Sequence, residues 1–270
     1  MSLGKKDIKP ILKWAGGKRQ LIPQLIKIIP KKYNQYVEPF IGGGALYFYL
    51  NNNKAVINDS NPELINLYNE VANNPKKIIT NLKKYKNNKE FFYKVRSAKP
   101  KTSLEAASRT IYLNRTCFNG LYRVNKKGGF NVPFGNYKIS NFVDNENFLK
   151  ASSLLKKTKI LCKDYKYVLD KYTKKGDLVF LDPPYLPISK YSDFKRYTKE
   201  QFYLEDHIEL SEYYKKLDKK GCYLILTNSN NKKILDLYKG YKITIFNTKR
   251  NISSKGQKRT GQDIIVTNFK

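Results

Sequence analysis

The sequence predicts an α/β fold, a largely parallel sheet wrapped by helices, with a module inserted between its early and later strands. Three observations lead there. Short apolar runs alternate with helix-spaced patterns from residue 36 onward. That alternation breaks at about residue 75 and resumes beyond residue 143. The run Asp177-Leu178-Val179-Phe180-Leu181 stops abruptly in "LDPPY", as a buried strand of a parallel sheet does where proline ends its pairing. At 270 residues the chain can bury a sizeable core as one large domain carrying an insertion.

Taken in order, "YVEPF" and "KAVIND" read as strands, with helices near residues 44–51 and 62–72, the rhythm of βαβ units. Residues from about 75 to 116 read as helices, with apolar positions at Ile78, Leu82, Tyr85, Leu104, Ile111 and Leu113. After them comes "CFNGLYRVNKKGGFNVPFGNY", whose "NG" and "KKGG" suit tight hairpin turns. The alternation then returns: "TKILCKDY", "DLVFLDPPY", a helix near 201–219, "CYLILTN", a helix near 231–238, and the late strands "YKITIFN" and "DIIVTNF". The division expected is residues 1–74 with 144–270 as one domain, and residues 75–143 as the insert.

The net charge of +31, from 53 Lys and Arg against 22 Asp and Glu, implies a polyanionic partner. A lysine- and asparagine-rich bias of the whole sequence accounts for part of it. The basic residues are spread along the chain, which disfavours a membrane surface. No apolar run approaches the roughly 20 residues of a membrane span, and "MSLGKKDIKP" lacks the apolar centre of a signal peptide. A soluble, intracellular protein is expected. Cys117, Cys162 and Cys222 show no metal-ligand spacing, so buried reduced thiols and no metal are expected. His207, in "EDHIEL", is the sole histidine; it is expected to be solvated or capping, and chemistry needing several histidines is excluded.

Asp182 and Tyr185 flank Pro183 and Pro184. Neither proline donates a backbone hydrogen bond, so the chain leaves the sheet at its carboxyl edge, where open α/β sheets bind ligands. Alone, the tetrapeptide would also suit a strand-ending turn with a solvated Asp. "VEPFIGGGAL" sets Glu38 at the end of the first strand and Gly42, Gly43 and Gly44 at the turn into a helix. It is neither G-x-G-x-x-G nor a phosphate-binding P-loop. Asp59 ends the next strand, where an acidic side chain can accept from ribose hydroxyls; Ser60 or Asn61 suits the N-cap of the helix at Pro62 better. A glycine turn with an acidic residue ending the second strand indicates a nucleoside-containing cofactor.

Five blocks in order, "LKWAGGKRQL", "EPFIGGGA", "NDSNPELINLY", "NGLYRVNKKGGFNVPFGNY" and "DPPY", resemble Dam-type DNA adenine-N6 methyltransferases of the class alpha, D12 group. The closer likeness is to the GATC-modifying members, and "SSKGQKRTGQDIIVTNF" is similar to that family's end. The resemblance implies a Rossmann-like methyltransferase sheet with an inserted helical and β-hairpin target-recognition domain. It implies S-adenosyl-L-methionine as cofactor, with Trp14, Lys18, Glu38, Phe40, Gly42, Gly43, Gly44, Asp59, Asp164, Tyr165 and Asp182 around it. It further implies catalysis by Asp182, Pro183, Pro184 and Tyr185 on an adenine flipped out of duplex DNA. DNA contacts are implied at Lys13, Arg115, Asn119, Leu121, Arg123, Asn125, Pro133 and Tyr137, with Arg123 reading guanine. Asn136 departs from the basic residue of many relatives. A cognate restriction endonuclease is a partner consistent with this group, and a monomer or weak dimer is expected. Two alternatives stay open: a catalytically idle nucleic-acid-binding protein, and the same chemistry on RNA or on cytosine N4.

Overall fold

The computed structural model describes residues 8–14, 16–125, 128–186, 202–249 and 260–269, with the backbone alone for Lys249 and Thr260. Its sheet contains β1 (Tyr36–Glu38), β2 (Ala55–Asn58), β3 (Lys159–Leu161), β4 (Leu178–Leu181), β5 (Tyr223–Ser229), β6 (Lys242–Lys249) and β7 (Thr260–Thr267). The order is β3-β2-β1-β4-β5-β7-β6. Strands β1 to β5 run parallel, and β7 lies antiparallel between β5 and β6.

The apolar runs behave as a sheet covered on both faces requires. In β4 and β5 alternate residues point to opposite layers: Leu178, Phe180 and Ile225 to one, Val179, Leu181, Leu224 and Leu226 to the other, all fully buried. The second layer is completed by α8 (Tyr165–Tyr172), α9 (Leu204–Lys219) and α10 (Lys232–Leu237). The first is built by α1 (Ile22–Ile28), α2 (Ala45–Leu50), α3 (Pro62–Asn73), α4 (Pro75–Lys83), α5 (Lys89–Ser97), α6 (Ser103–Thr116) and α7 (Asn145–Leu155). Each Leu, Ile or Phe sealed between the layers contributes about 1.5–3 kcal/mol relative to an exposed one.

Helices α4 to α6 share their apolar core with the rest of this layer: Ile78, Phe92 and Ile111 belong to one cluster with Leu64, Val71 and Phe148. Helix α6 packs along α3. Three helices go unread in the sequence. In α1 and α8 only seven and eight residues are helical, too short for a clear period. In α7, asparagines and serines dilute the pattern, although Asp144 caps it through the Asn147 amide at 3.2 Å. The helix expected from 201 starts at Leu204, residue 201 lying outside the described residues.

The expected hairpin turns divide. At "NG", Asn119 (φ 55°) and Gly120 (φ 62°) are left-handed within a 3-10 turn, Phe118–Gly120, rather than a two-residue hairpin turn. At "KKGG" the chain does reverse: Val124 bridges Phe130 and the Asn125 amide donates to the Gly129 carbonyl at 2.9 Å. Lys126 and Lys127 lie outside the described residues, as do 250–259, where the family-like closing block begins.

Candidate active site

Strand β1 is followed by its neighbour β2 on one side, and β4 by β5 on the other, so the connections part where β1 and β4 meet. A crevice opens at the carboxyl ends of such strands. Glu38 ends β1, Asp59 follows β2 and Asp182 follows β4, so three carboxylates converge on it.

Asp182 is held by two donors on one oxygen. The Lys18 ammonium, from a 3-10 turn at Lys18–Gln20, lies 2.7 Å from Oδ1, and the Thr227 hydroxyl of β5 donates to the same atom at 2.6 Å. Among the described residues no hydrogen bond reaches Oδ2. Burial lifts the Asp182 carboxyl above its ordinary pKa, while Lys18 and the Thr227 hydroxyl oppose the rise. Lys18 is 7% exposed; burial acts to lower its pKa, but the charge of Asp182 and the neighbouring Tyr185 outweigh it and raise it overall. The same ammonium also donates to the Gly16 carbonyl at 2.6 Å and stands 4.4 Å from the centroid of the Tyr185 ring.

Glu38 is almost fully buried and accepts from the Tyr36 hydroxyl at 2.8 Å. Burial pushes its carboxyl well above the usual range, reinforced by Asp182 and Asp59. Among the described residues it joins no ion pair. Asp59 accepts from the Gly42 amide at 3.0 Å and from the Asn61 amide at 3.0 Å, and burial raises its pKa against those bonds. Asn61, not Ser60, caps α3, accepting from the Glu63 and Leu64 amides.

The glycine turn is shaped by Trp14. A Cβ on Gly42, itself at φ +44°, would stand 2.9 Å from the indole Cδ1, and one on Gly43 would stand 2.7 Å from the Trp14 Cβ. The indole stacks in turn on Tyr122, centroids 5.1 Å apart, and the Tyr122 hydroxyl donates to Glu63 at 2.8 Å. Gly44 (φ +65°) starts α2, and Tyr68 donates to the Gly42 carbonyl at 2.6 Å. On the far side Phe40 lies 5.1 Å from the ring of Tyr165, which is buried. Asp164 is exposed and caps α8 through the Lys166 amide at 2.8 Å.

The residues expected at DNA cluster around the turn after α6. Lys13 is exposed, its ammonium 5.5 Å from the Tyr137 ring centroid. Tyr137 in turn meets Asn119, whose amide donates to the phenol oxygen at 2.9 Å. Arg123 is half-buried, with Nε donating to Asn131 Oδ1 at 2.8 Å. Leu121 is half-buried and Pro133 exposed, the Pro133 carbonyl accepting from Phe118 at 2.9 Å. The Asn125 side chain accepts from the Gly129 amide at 2.9 Å and so holds its own turn. Arg115 points inward, Nη2 donating to the Ile11 carbonyl at 2.8 Å; this guanidinium ties down the N-terminal segment. Asn136 sits at φ 53°, a left-handed geometry that asparagine tolerates better than a lysine or arginine does.

Two expectations are corrected. His207 is neither solvated nor a cap: it is fully buried, with the Asn228 amide 3.4 Å from Nδ1 and Phe202 edge-on at 4.7 Å. Burial lowers its pKa to about 4, a fall that Asp206 and the Pro184 backbone limit, so the ring is neutral near pH 7. An amphipathic helix has an apolar stripe as well as a wet one, and His207 lies on the former. The thiols divide too, Cys117 and Cys222 being buried and Cys162 exposed.

Four site residues escaped the sequence reading. Asn58 donates to the Pro39 and Lys163 carbonyls, both at 2.9 Å, and so pins the loops after β1 and β3 together. Asn114 brackets Lys13 and Gly120 through bonds of 2.6–3.1 Å. Tyr122 and Thr227 complete the set. A polar residue ending a buried run was the available signal for Asn58 and Thr227; nothing local distinguished Asn114 or Tyr122.

A Rossmann-like sheet with an antiparallel seventh strand, an acidic crevice at its switch point and an Asp-Pro-Pro-Tyr edge defines an α/β transferase of the methyltransferase type. Residues 14–252 match the family model described as D12 class N6 adenine-specific DNA methyltransferase, and the chain belongs to that family. It acts on DNA as an adenine methyltransferase. It is 41% identical to the Type II methyltransferase M.MjaIII of Methanocaldococcus jannaschii, covering 97% of this chain and 100% of that protein. It is 42% identical to the Type II methyltransferase M1.LlaDCHI of Lactococcus lactis subsp. cremoris over 98% and 97% of the two chains. With the DNA adenine methylase of Haemophilus influenzae the identity is 34%, over 97% and 93%. Among the described residues no group of His, Cys, Asp and Glu could hold a metal ion, and no helix is long and apolar enough to cross a membrane.

Proposed function

We propose that the chain transfers the methyl group of S-adenosyl-L-methionine to N6 of an adenine turned out of duplex DNA, at GATC sites. The observation that carries this reading is Asp182 at the sheet's carboxyl edge, one oxygen engaged by Lys18 and Thr227 and the other, among the described residues, without a hydrogen bond.

Adenine N6 is a poor nucleophile because its lone pair is delocalised into the ring. Asp182 Oδ2 and the Pro183 carbonyl would accept its two N–H bonds and draw the nitrogen toward tetrahedral geometry. Pro184 restricts the backbone of Pro183 and so stiffens that carbonyl. Tyr185 would stack on the extruded base, whose unstacking costs about a few kcal/mol. Fixed donors and acceptors of this kind accelerate a reaction by positioning and electrostatics.

The acidic crevice suits this cofactor. Bound there, it supplies a methyl group carried on a cationic sulfur. A buried carboxylate at Glu38, in no ion pair among the described residues, is complemented by a positively charged ligand, and Asp59 keeps lone pairs for ribose hydroxyls beyond the amides of Gly42 and Asn61. Trp14, Lys18, Phe40, Gly42, Gly43, Gly44, Asp164 and Tyr165 would complete the site. Residues 1–74 and 144–270 would carry cofactor and catalysis, and residues 75–143 target recognition. Arg123 would read guanine in the major groove, Lys13 the outer guanine, and the abundant lysines would meet phosphates.

Incubation with tritiated cofactor and duplexes with or without GATC, followed by digestion to nucleosides, tests the reading. Label in N6-methyladenine from GATC duplexes alone is expected. Label in N4-methylcytosine, preference for RNA, or DNA binding without label would overturn it. Asp182→Ala should abolish transfer while sparing most cofactor binding.

A further inference from the structure

Strand β5 carries a hydroxyl beside the Asp182 carboxylate. Thr227 is fully buried, and the β4–β5 register, Leu181 beside Leu226, places it next to Asp182. An ionised carboxylate only accepts, so in this 2.6 Å contact the threonine donates. Lys18 meets the same Oδ1 at 2.7 Å from the opposite chain segment. Two donors converging on Oδ1 restrain rotation of the whole carboxylate about its Cβ–Cγ bond and so fix the direction in which Oδ2 presents its lone pairs. The lysine reaches Oδ1 through four flexible methylenes, whereas the threonine is rooted in the sheet, so the rigid half of the grip comes from β5.

We infer that Thr227 is a positioning residue for methyl transfer, orienting Asp182 so that Oδ2 faces the substrate amine. The inference rests on the reading of Asp182 as the acceptor of that amine. Valine keeps the shape of threonine and removes the donor; serine keeps the donor and loses a methyl. Thr227→Val should lower the single-turnover methylation rate about 10- to 100-fold, in line with one lost hydrogen bond to a charged group, and leave KM for DNA within about threefold. Thr227→Ser should recover to within about threefold of the parent.

A second readout needs no turnover. Among the described residues, the titratable groups around Asp182 are Lys18, Tyr185 on the following loop, and Tyr36 and Glu38 on β1. Thr227 is among the groups holding the Asp182 pKa down, so Thr227→Val should move its carboxyl titration, followed by carbon NMR of aspartate-labelled protein and assigned with Asp182→Asn, to higher pH. Thr227→Ala replaces the valine variant should that one fail to fold. A parental rate and titration in the valine variant, or an equal loss in the serine variant, would overturn the inference. Full activity in Asp182→Ala would instead overturn the reading beneath it.

Discussion

The Lys18 ammonium rests 2.7 Å from Asp182 Oδ1 and 4.4 Å from the centroid of the Tyr185 ring, so one cation neutralises the carboxylate and covers the aromatic ring beside it. Removing the partner of a buried ion pair is costly, because it leaves the other charge uncompensated. Lys18→Met should therefore lift the Asp182 pKa further and cut methylation sharply. The group's folded pKa already exceeds its unfolded value, so the native state binds more protons between the two and stability falls as pH rises through that window. The variant should show a steeper fall in melting temperature above pH ~4, and Lys18→Met combined with Asp182→Asn should remove it.

Glu38 carries the same sign, with no ion pair among the described residues. Its pKa stands well above 4.5 because it is buried, and ionising it costs the free protein stability at neutral pH. Glu38→Gln should raise stability by about 1–3 kcal/mol at pH 7.5, with the gain vanishing in acid, where the parent is already protonated. The same change should weaken binding of the cationic cofactor about tenfold by calorimetry. Unchanged affinity would remove Glu38 from the cofactor site.

His207 opposes that trend. Its folded pKa of about 4 lies below the unfolded 6.5, so the unfolded chain takes up the proton first and stability is lost as pH falls from 6.5 toward 4. His207→Gln should flatten melting curves in that range. It should also leave no titration between pH 6.5 and 8 altered, because the neutral ring has no charge to lose there.

Trp14 is the sole tryptophan, so its emission reports on the glycine turn. Gly43→Ala forces a Cβ within 2.7 Å of the Trp14 Cβ, and the indole must move. A destabilisation of about 1–3 kcal/mol and a shifted emission maximum are expected. An unshifted spectrum would show that the indole does not rest on this turn.

Much of the architecture was legible along the chain because parallel strands buried on both faces read as unbroken apolar runs. "LVFL" and "LILT" announced β4 and β5, and the prolines after Leu181 marked where the sheet ends. Short helices such as α1 and α8 were not legible, since two turns carry too few residues for a period to emerge.

The same boundary divides the site. Glycines, carboxylates and prolines at strand ends declare themselves locally, because each is demanded by the backbone where it stands. Which groups they face is a matter of distant segments: Lys18 and Thr227 meet Asp182 across 164 and 45 positions, and Trp14 meets Tyr122 across 108. His207 shows the limit most plainly. Its helix was evident from periodicity, but whether its ring met water or the underside of Pro184 depended on how α9 rolled against β5, and burial then set its charge. Composition and spacing name the chemistry; the sheet's register assigns the partners, because electrostatic and hydrogen-bond energies are fixed by ångström separations that no linear pattern contains.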